Sequence, residues 1–352
     1  MGTIYEIYGF DAHQMTYALM EAAQAAKLIP IDGRIALKPN LVLAAPPERG
    51  ATTHAGVLSG AIEYLRDHGV KHIEIIESSW VGGRTEEARR AAGYDTVCKK
   101  YGVPFYDLKL DHAASVDTPF GPIAICDRAR AADVLINLPV LKGHCQTGMT
   151  CAMKNCKGCI PDKEKRRFHA AGLMKPIAAL AWALRPRLTI VDSICGDLDF
   201  EEGGNPVPTG RMYLGTDMVQ LDAYGCQLMG LRLEDVPYIQ WAQRWGVGSA
   251  QVEEGDIVRL NHPEQGTDYP TPSGRVAKLT RGVQADQACS ACYAALVRAL
   301  NTAGGAGGVP IAIGQGWQGR SFDGLGIGRC CDGAFRQVKG CPPAVQDIMD
   351  AL

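Results

Sequence analysis

The chain has 352 residues, with 36 Lys and Arg against 38 Asp and Glu, 46% hydrophobic residues and 21% charged ones. A formal net charge of −2 excludes a polybasic nucleic-acid binder, and the composition is that of an ordinary folded globule rather than a disordered chain. No apolar run approaches the ~18 residues a membrane helix needs, and Met1-Gly-Thr-Ile-Tyr-Glu-Ile-Tyr8 lacks the basic-then-apolar layout of an export signal, so the expectation is a cytoplasmic protein with no membrane and no nucleic-acid partner.

In chain order, roughly the first 260 residues alternate strand-like and helix-like segments. Arg34-Ile-Ala-Leu-Lys-Pro39 reads as a short strand that Pro39 ends. Thr53 is placed to cap a helix from 54 to about 68, where Val57, Leu58, Ile62 and Leu65 fall at helical spacing. Residues 72–77, 134–138 and 188–191 are β-branched runs that read as strands. Segments 84–101, 150–157, 174–184, 217–229 and 234–245 read as helices. This alternation predicts an α/β fold in which a mostly parallel sheet is covered by helices. Sites in such sheets collect at the carboxyl ends of strands, where Lys38-Pro-Asn40, Glu77-Ser-Ser79, Leu141-Lys-Gly-His144 and Asp192-Ser193 all lie.

The texture changes near residue 261. A Pro- and Gly-rich stretch at 261–274 reads as a linker or crossing loop. The expected organisation is therefore an α/β domain over 1–260 with a basic strand-end cleft, the linker, and a C-terminal Gly/Cys-rich region over 275–352. In that last part a helix over 290–301, a strand over 309–313 and a final helix from about 343 are expected.

The 13 cysteines are the unusual feature, because a chain this long needs no disulfide framework. The tail contains Cys289-Ser-Ala-Cys292, Gly328-Arg-Cys330-Cys331 and Gly340-Cys341-Pro-Pro343. A Cys-x-x-Cys turn brings two sulfurs to one side, and glycines beside Cys330 and Cys341 let backbone N–H groups approach bound sulfur. Cys289, Cys292, Cys330 or Cys331, and Cys341 thus form a candidate set of metal ligands for a 4Fe–4S cluster. Zinc and metal-free buried thiols remain the alternatives. Gly314-Gln-Gly-Trp-Gln-Gly319 matches a dinucleotide fingerprint, but no helix opens after it. It reads instead as a loop wrapping the cluster, with Trp317 as a solvent shield.

The segment 141–169 is locally basic, with five lysines and two arginines against one aspartate and one glutamate. His144, Lys154 and His169 are the candidate catalytic groups, as proton donors or substrate contacts. Lys38, Asn40, His54, Lys142 and Asn155 are candidate substrate-binding residues for a carboxylate or phosphate. Thr147 or Thr150 would cap the helix that follows. Lys163 to Arg167 reads equally as a solvated face. Cys151, Cys156 and Cys159 read as buried thiols rather than as a second cluster. Asp197, Asp199, Glu201 and Glu202 read as an exposed acidic loop.

Lys38-Pro-Asn-Leu41, Thr52-Thr-His54, Glu77-Ser78, Ile136-Asn-Leu-Pro-Val-Leu-Lys142, Thr147-Gly-Met-Thr150, Lys154-Asn-Cys-Lys-Gly-Cys-Ile-Pro161 and Ile190-Val-Asp192 together resemble the domain of unknown function 362 family. The tail motifs resemble its iron–sulfur-associated subset. The resemblance spans about 34–352 and implies an α/β fold with a cluster; it supplies no reaction. The dense ferredoxin-like cysteine run of some relatives is missing here. Spacing from Ile327-Gly328 favours Cys330 over Cys331. The functional expectation is an oxygen-sensitive iron–sulfur oxidoreductase acting on an anionic small molecule, with an electron-donor protein as partner and a homodimer as a further expectation. The alternatives are a lyase using the cluster as Lewis acid, an electron carrier, and a zinc-stabilised anion-binding protein.

Overall fold

The computed structural model describes residues 2–263 and 274–352. Most of the expected linker over 261–274 lies outside the described residues. The first part carries strands β1 Ile4–Tyr8, β2 Arg34–Pro39, β3 His72–Glu77, β4 Phe105–Asp107, β5 Ala113–Val116, β6 Ile123–Cys126, β7 Val134–Leu138, β8 Lys142–His144, β9 Gly148–Thr150, β10 Leu188–Asp197, β11 Pro206–Gly215 and β12 Ile257–Arg259. Eight of these form one sheet in the order β12-β1-β11-β10-β7-β2-β3-β4. It is parallel except at β11, which runs antiparallel to both β1 and β10. The pairs β5–β6 and β8–β9 are separate antiparallel hairpins.

Alternate residues of the central strands feed two different cores. Ile35, Leu37, Ile75 and Ile136 pack with the helices Ala12–Ala22 and Ala55–Asp67, whereas Ala36, Ile76 and Leu135 pack with the helix Met174–Leu184. A sheet buried on both faces needs apolar residues at every position, which is why these strands read as continuous apolar runs rather than alternating ones. The α/β architecture, a mostly parallel sheet covered by helices, is as expected.

Several local expectations differ. Thr53 does not cap the helix Ala55–Asp67; its hydroxyl accepts from Asn40 N and donates to Leu138 O, tying β2 to β7. The segment 84–101 is two helices, Thr85–Ala91 and Tyr94–Tyr101, broken at Gly93, whose φ of 77° is left-handed. Neither Thr147 nor Thr150 caps the helix Ala152–Asn155. The buried Asp222 carboxylate takes the Ala152 and Met153 N–H groups at 2.6 and 3.2 Å, and burial pushes its pKa up to about 7. The acidic loop is not exposed: Asp197, Glu201 and Glu202 are buried, and Asp197 accepts three backbone N–H bonds from its own turn.

In the C-terminal part, β13 Val283–Ala285, β14 Ile311–Ile313, β15 Phe322–Ile327 and β16 Ala334–Val338 form a second, fully parallel sheet. Its core is Leu296 and Leu300 of the helix Ser290–Ala303 with Ile311, Ile313, Leu325, Ile327 and Ile348. This sheet meets the larger one through polar contacts. Gln146 donates to Ala288 O at 2.7 Å, and Gln315 donates to Arg166 O at 3.1 Å.

Candidate functional site

The carboxyl ends of β2, β3 and β7 meet the basic segment in a ladder of buried amides. Register places Lys38 beside Asn137. Asn40 Nδ2 donates to Asn155 Oδ1 at 2.7 Å, Asn155 Nδ2 to Asn137 Oδ1 at 2.8 Å, and Lys142 Nζ to Asn40 Oδ1 at 2.9 Å. Each amide uses both its donor and acceptor faces, so the helix Ala152–Asn155 is fixed against the strand ends. Below them Lys38 Nζ meets Glu77 at 2.5 Å, both fully withdrawn from solvent. A Cβ on Gly158 would lie 1.8 Å from Glu77 Oε1, so the glycine of Lys154-Asn-Cys-Lys-Gly-Cys-Ile-Pro is what lets the chain cross this ion pair.

Above this floor opens a cleft of about 630 Å³, part of it continuous with solvent. Its polar lining includes Ser78, Ser79, Lys154, Asn155, Lys157, Lys165, His169 and Ser290, with the carboxylates Glu77 and Glu201. Its apolar lining includes Leu41, Val42, Trp80 and Val81. Lys165 reaches Ser78 Oγ and Ser79 O, both at 2.7 Å, and Asp162 at 3.4 Å. Lys154 touches Thr150 Oγ1 at 3.2 Å and Glu201 at 3.5 Å. Lys157 donates to His169 Nε2 at 3.1 Å, and among the described residues no salt bridge links it to a carboxylate. Burial, then the neighbouring Lys154, lowers the Lys157 pKa to about 7; burial lowers Lys165 to about 8. Burial, then Lys157, also pushes His169 well below the usual imidazole range, so its ring is neutral.

His144 lies behind the cleft wall, against Glu201. Burial lowers its pKa to about 4, although Glu201 pulls the other way. For Glu201, burial opposes ionisation, but His144, Lys154 and Lys142 outweigh it and hold the carboxyl below its ordinary range. Two cations lining the cleft have acids of their own, Lys154 with Glu201 at 3.5 Å and Lys165 with Asp162 at 3.4 Å.

A second cavity, about 380 Å³, is lined by Cys289, Cys292, Cys330 and Cys341 together with Gly328, Gly340, Gln315 and two arginines, Arg166 and Arg329. The four cysteines expected as ligands therefore face one space. Cys331 does not: it is buried, with its thiol on Ala312 O at 3.5 Å. Burial and the other thiols raise Cys289 to about 11 and Cys292 to about 12. Gly314, at φ 123°, could carry no side chain, since a Cβ would meet Asp286 O at 1.9 Å; the loop that follows lays Gln315 along the cavity. Trp317 is no shield there. Its indole donates to Gln284 O at 2.9 Å and its ring packs on Phe322. Cys289 lines both cavities and is the wall they share.

Among the described residues, no group of three or more His, Cys, Asp or Glu side chains is placed to hold a metal ion. A lone zinc draws its four ligands to ~2.0–2.3 Å of one centre. A cubane instead bonds each of four thiolates to a different iron.

Of the residues singled out from sequence, Asn40, Lys154, Asn155 and His169 line the cleft; Lys38, Lys142 and His144 stand one layer behind it. His54 is placed apart, its Nδ1 on Asp192 at 2.8 Å. Lys157, Lys165, Ser290 and Gln315 were not singled out. Burial lowers the His54 pKa, but Asp192 outweighs it and the net direction is up. A proton held more tightly by the folded state stabilises fully below the unfolded value of about 6.5 and is lost as pH rises through the folded value. The stability difference between wild type and His54→Gln is thus expected to be largest near about pH 5.5 and to shrink by about pH 8; chemical denaturation at both values checks this, and a difference that grows with pH contradicts it. Cys151, Cys156 and Cys159 are fully buried within the main core.

A family model described as a domain of unknown function (DUF362) matches residues 35–227, which spans the cleft motifs and stops short of the tail cysteines. The thylakoid-associated protein sll1697 of Synechocystis sp. is 27% identical over 243 residues, 66% of this chain and 73% of that protein. Among solved structures, the lactate racemase apoprotein from Thermoanaerobacterium thermosaccharolyticum is similar with a TM-score of 0.43 and 13% identity, over 64% of this chain and 56% of that one. This chain thus spans little more than half the length of that structure. No helix among the described residues is long and apolar enough to cross a membrane.

Proposed function

The chain belongs to the DUF362 family, and from that premise we propose that it is a 4Fe–4S protein that reduces or oxidises an anionic small molecule bound beside the cluster. The observation that carries this reading is the shared wall. Cys289 faces the four-cysteine cavity on one side and the basic cleft on the other, so a group held in the cleft lies within contact distance of a cluster ligand. Cys289, Cys292, Cys330 and Cys341 would hold the cluster, which supplies single electrons when bound.

The protein's own residues divide the remaining work. Lys157, protonated in part near neutral pH with its pKa at about 7, would take up its full charge as a carboxylate or phosphate enters the cleft. Lys165, held by Ser78 and Ser79, adds a second positive pole. His169, neutral and bonded to Lys157 and Ser290, is the group placed to hold or release a proton at the substrate. Leu41, Val42, Trp80 and Val81 would supply apolar contact to the rest of the bound molecule. An electron donor is needed, and a one-electron carrier protein is its natural class.

The test is purification without oxygen, followed by iron, sulfide and zinc analysis and electron paramagnetic resonance before and after dithionite. The expected result is about four irons and four sulfides per chain, with a signal appearing on reduction. Stoichiometric zinc without iron would overturn the reading.

A further inference from the structure

We propose that Gln315 sets the reduction potential of the cluster, by an N–H···S hydrogen bond to Cys289; this rests on the iron–sulfur reading above. The glycine-rich loop over 314–319 matches a nucleotide fingerprint yet forms only a single turn of 3-10 helix, Gln315–Trp317, before entering β15. Its role lies elsewhere. Gly314 makes the tight passage past Asp286, and Gln315, the next residue, turns its amide into the cysteine cavity. Gln315 Nε2 stands 3.6 Å from Cys289 Sγ, 3.1 Å from Arg166 O and 3.4 Å from Gln287 O. An amide nitrogen has two hydrogens. With one directed to the backbone carbonyls, the other serves the sulfur.

The two carbonyl contacts matter because they fix the donor before any cluster is present. Arg166 belongs to the helix Asp162–Ala170, which also carries Lys165 and His169 to the cleft. Gln315 therefore ties the tail loop to the wall of the main sheet and aims a dipole at the sulfur common to both cavities. Donors to ligand sulfurs stabilise the more negative, reduced form and raise the potential. Cys289 is also the corner nearest the bound anion, whose charge pushes the potential the other way, so a donor at this sulfur has the greatest use. Gln315 is a positioning residue: it touches no substrate, and its signature is a potential rather than a loss of turnover.

The experiment is redox potentiometry, followed by electron paramagnetic resonance, on anaerobically purified full-length wild type, Gln315→Leu and Gln315→Glu, with iron and sulfide counted in each. Leu removes the donor at similar volume; Glu keeps the shape and adds a negative charge. Both are expected to keep their iron and to shift the potential negative, Glu further than Leu. Gln318→Leu, an exposed position of the same loop, is the control and leaves the potential unchanged. Should Gln315→Leu lose iron, the Glu variant decides alone. Full iron with wild-type potentials in the Gln315 variants overturns this inference and leaves the cluster reading standing. Absence of iron from the wild type overturns both.

Discussion

Replacing any one of Cys289, Cys292, Cys330 or Cys341 by serine is expected to lower bound iron from about four per chain to about one or fewer, whereas Cys331→Ser keeps it. The four residues come from separate segments: the start of the helix Ser290–Ala303, the turn after β15, and the turn after β16. No neighbouring thiol can substitute for a lost corner, because the nearest spare, Cys331, points into the small sheet, where a Cβ on Gly326 would lie 2.7 Å from the Cys331 Cβ. Burial raises all three of Cys289, Cys292 and Cys330 above their ordinary range, with each thiolate opposing the next. Bound iron relieves that repulsion, so binding and deprotonation are linked and the loss of one ligand weakens the others' hold. Iron analysis and the reduced-state signal read the result. Retention of full iron in any of the four variants removes that residue from the set, and loss of iron in Cys331→Ser returns the doubled cysteine to question.

The sequence carried the architecture where burial was uniform. Ile35, Leu37, Ile75 and Ile136 are apolar because both sheet faces are covered, and such runs stand out. It hid β1, whose central Glu6 is fully buried and reads as a solvent-facing residue. Only the fold brings Tyr224, Tyr8 and Arg259 to its carboxylate at 2.6, 2.7 and 3.1 Å. It hid β11 for a similar reason, since Pro206 and Pro208 discourage a strand assignment. The cleft was half legible. Lys154 and His169 were picked out by local charge, but Lys157 and Lys165 belong to the same charge run, and a run does not say which of its members turns inward. Ser290 and Gln315 had no signal at all, because a single hydroxyl or amide becomes a site residue only through partners about 120 to 150 positions away. The cysteine tail was the most legible part, since ligand spacing is written in consecutive residues.

The Lys38–Glu77 pair supports the second large prediction, which concerns the cleft floor rather than the cluster. At 2.5 Å, with side chains 0% and 2% exposed, neither charge can be met by water if its partner is removed. Gln at position 77 keeps the shape but leaves the ammonium buried with only Pro39 O, 3.0 Å away, as a strong acceptor. Breaking a buried pair in this way costs about 3–5 kcal/mol, which for a chain of this size lowers the melting temperature by roughly 4–7 °C. Lys38→Met acts differently. Burial raises the Glu77 pKa, with Lys38 opposing that rise, so without the lysine the carboxyl takes up a proton and is tolerated at low pH. The penalty of Lys38→Met should therefore grow as pH rises from about 5 to about 8. The double variant Lys38→Met, Glu77→Leu removes both charges and is expected to recover most of the loss, a coupling of roughly 2 kcal/mol or more. Thermal and urea unfolding of the three variants at both pH values measures each quantity. A Glu77→Gln protein within about 1 kcal/mol of wild type would show that the pair is not a charged one. In that case the Glu77 carboxyl would be the protonated partner, and the uncompensated Lys38 ammonium would add to the positive character beneath the cleft.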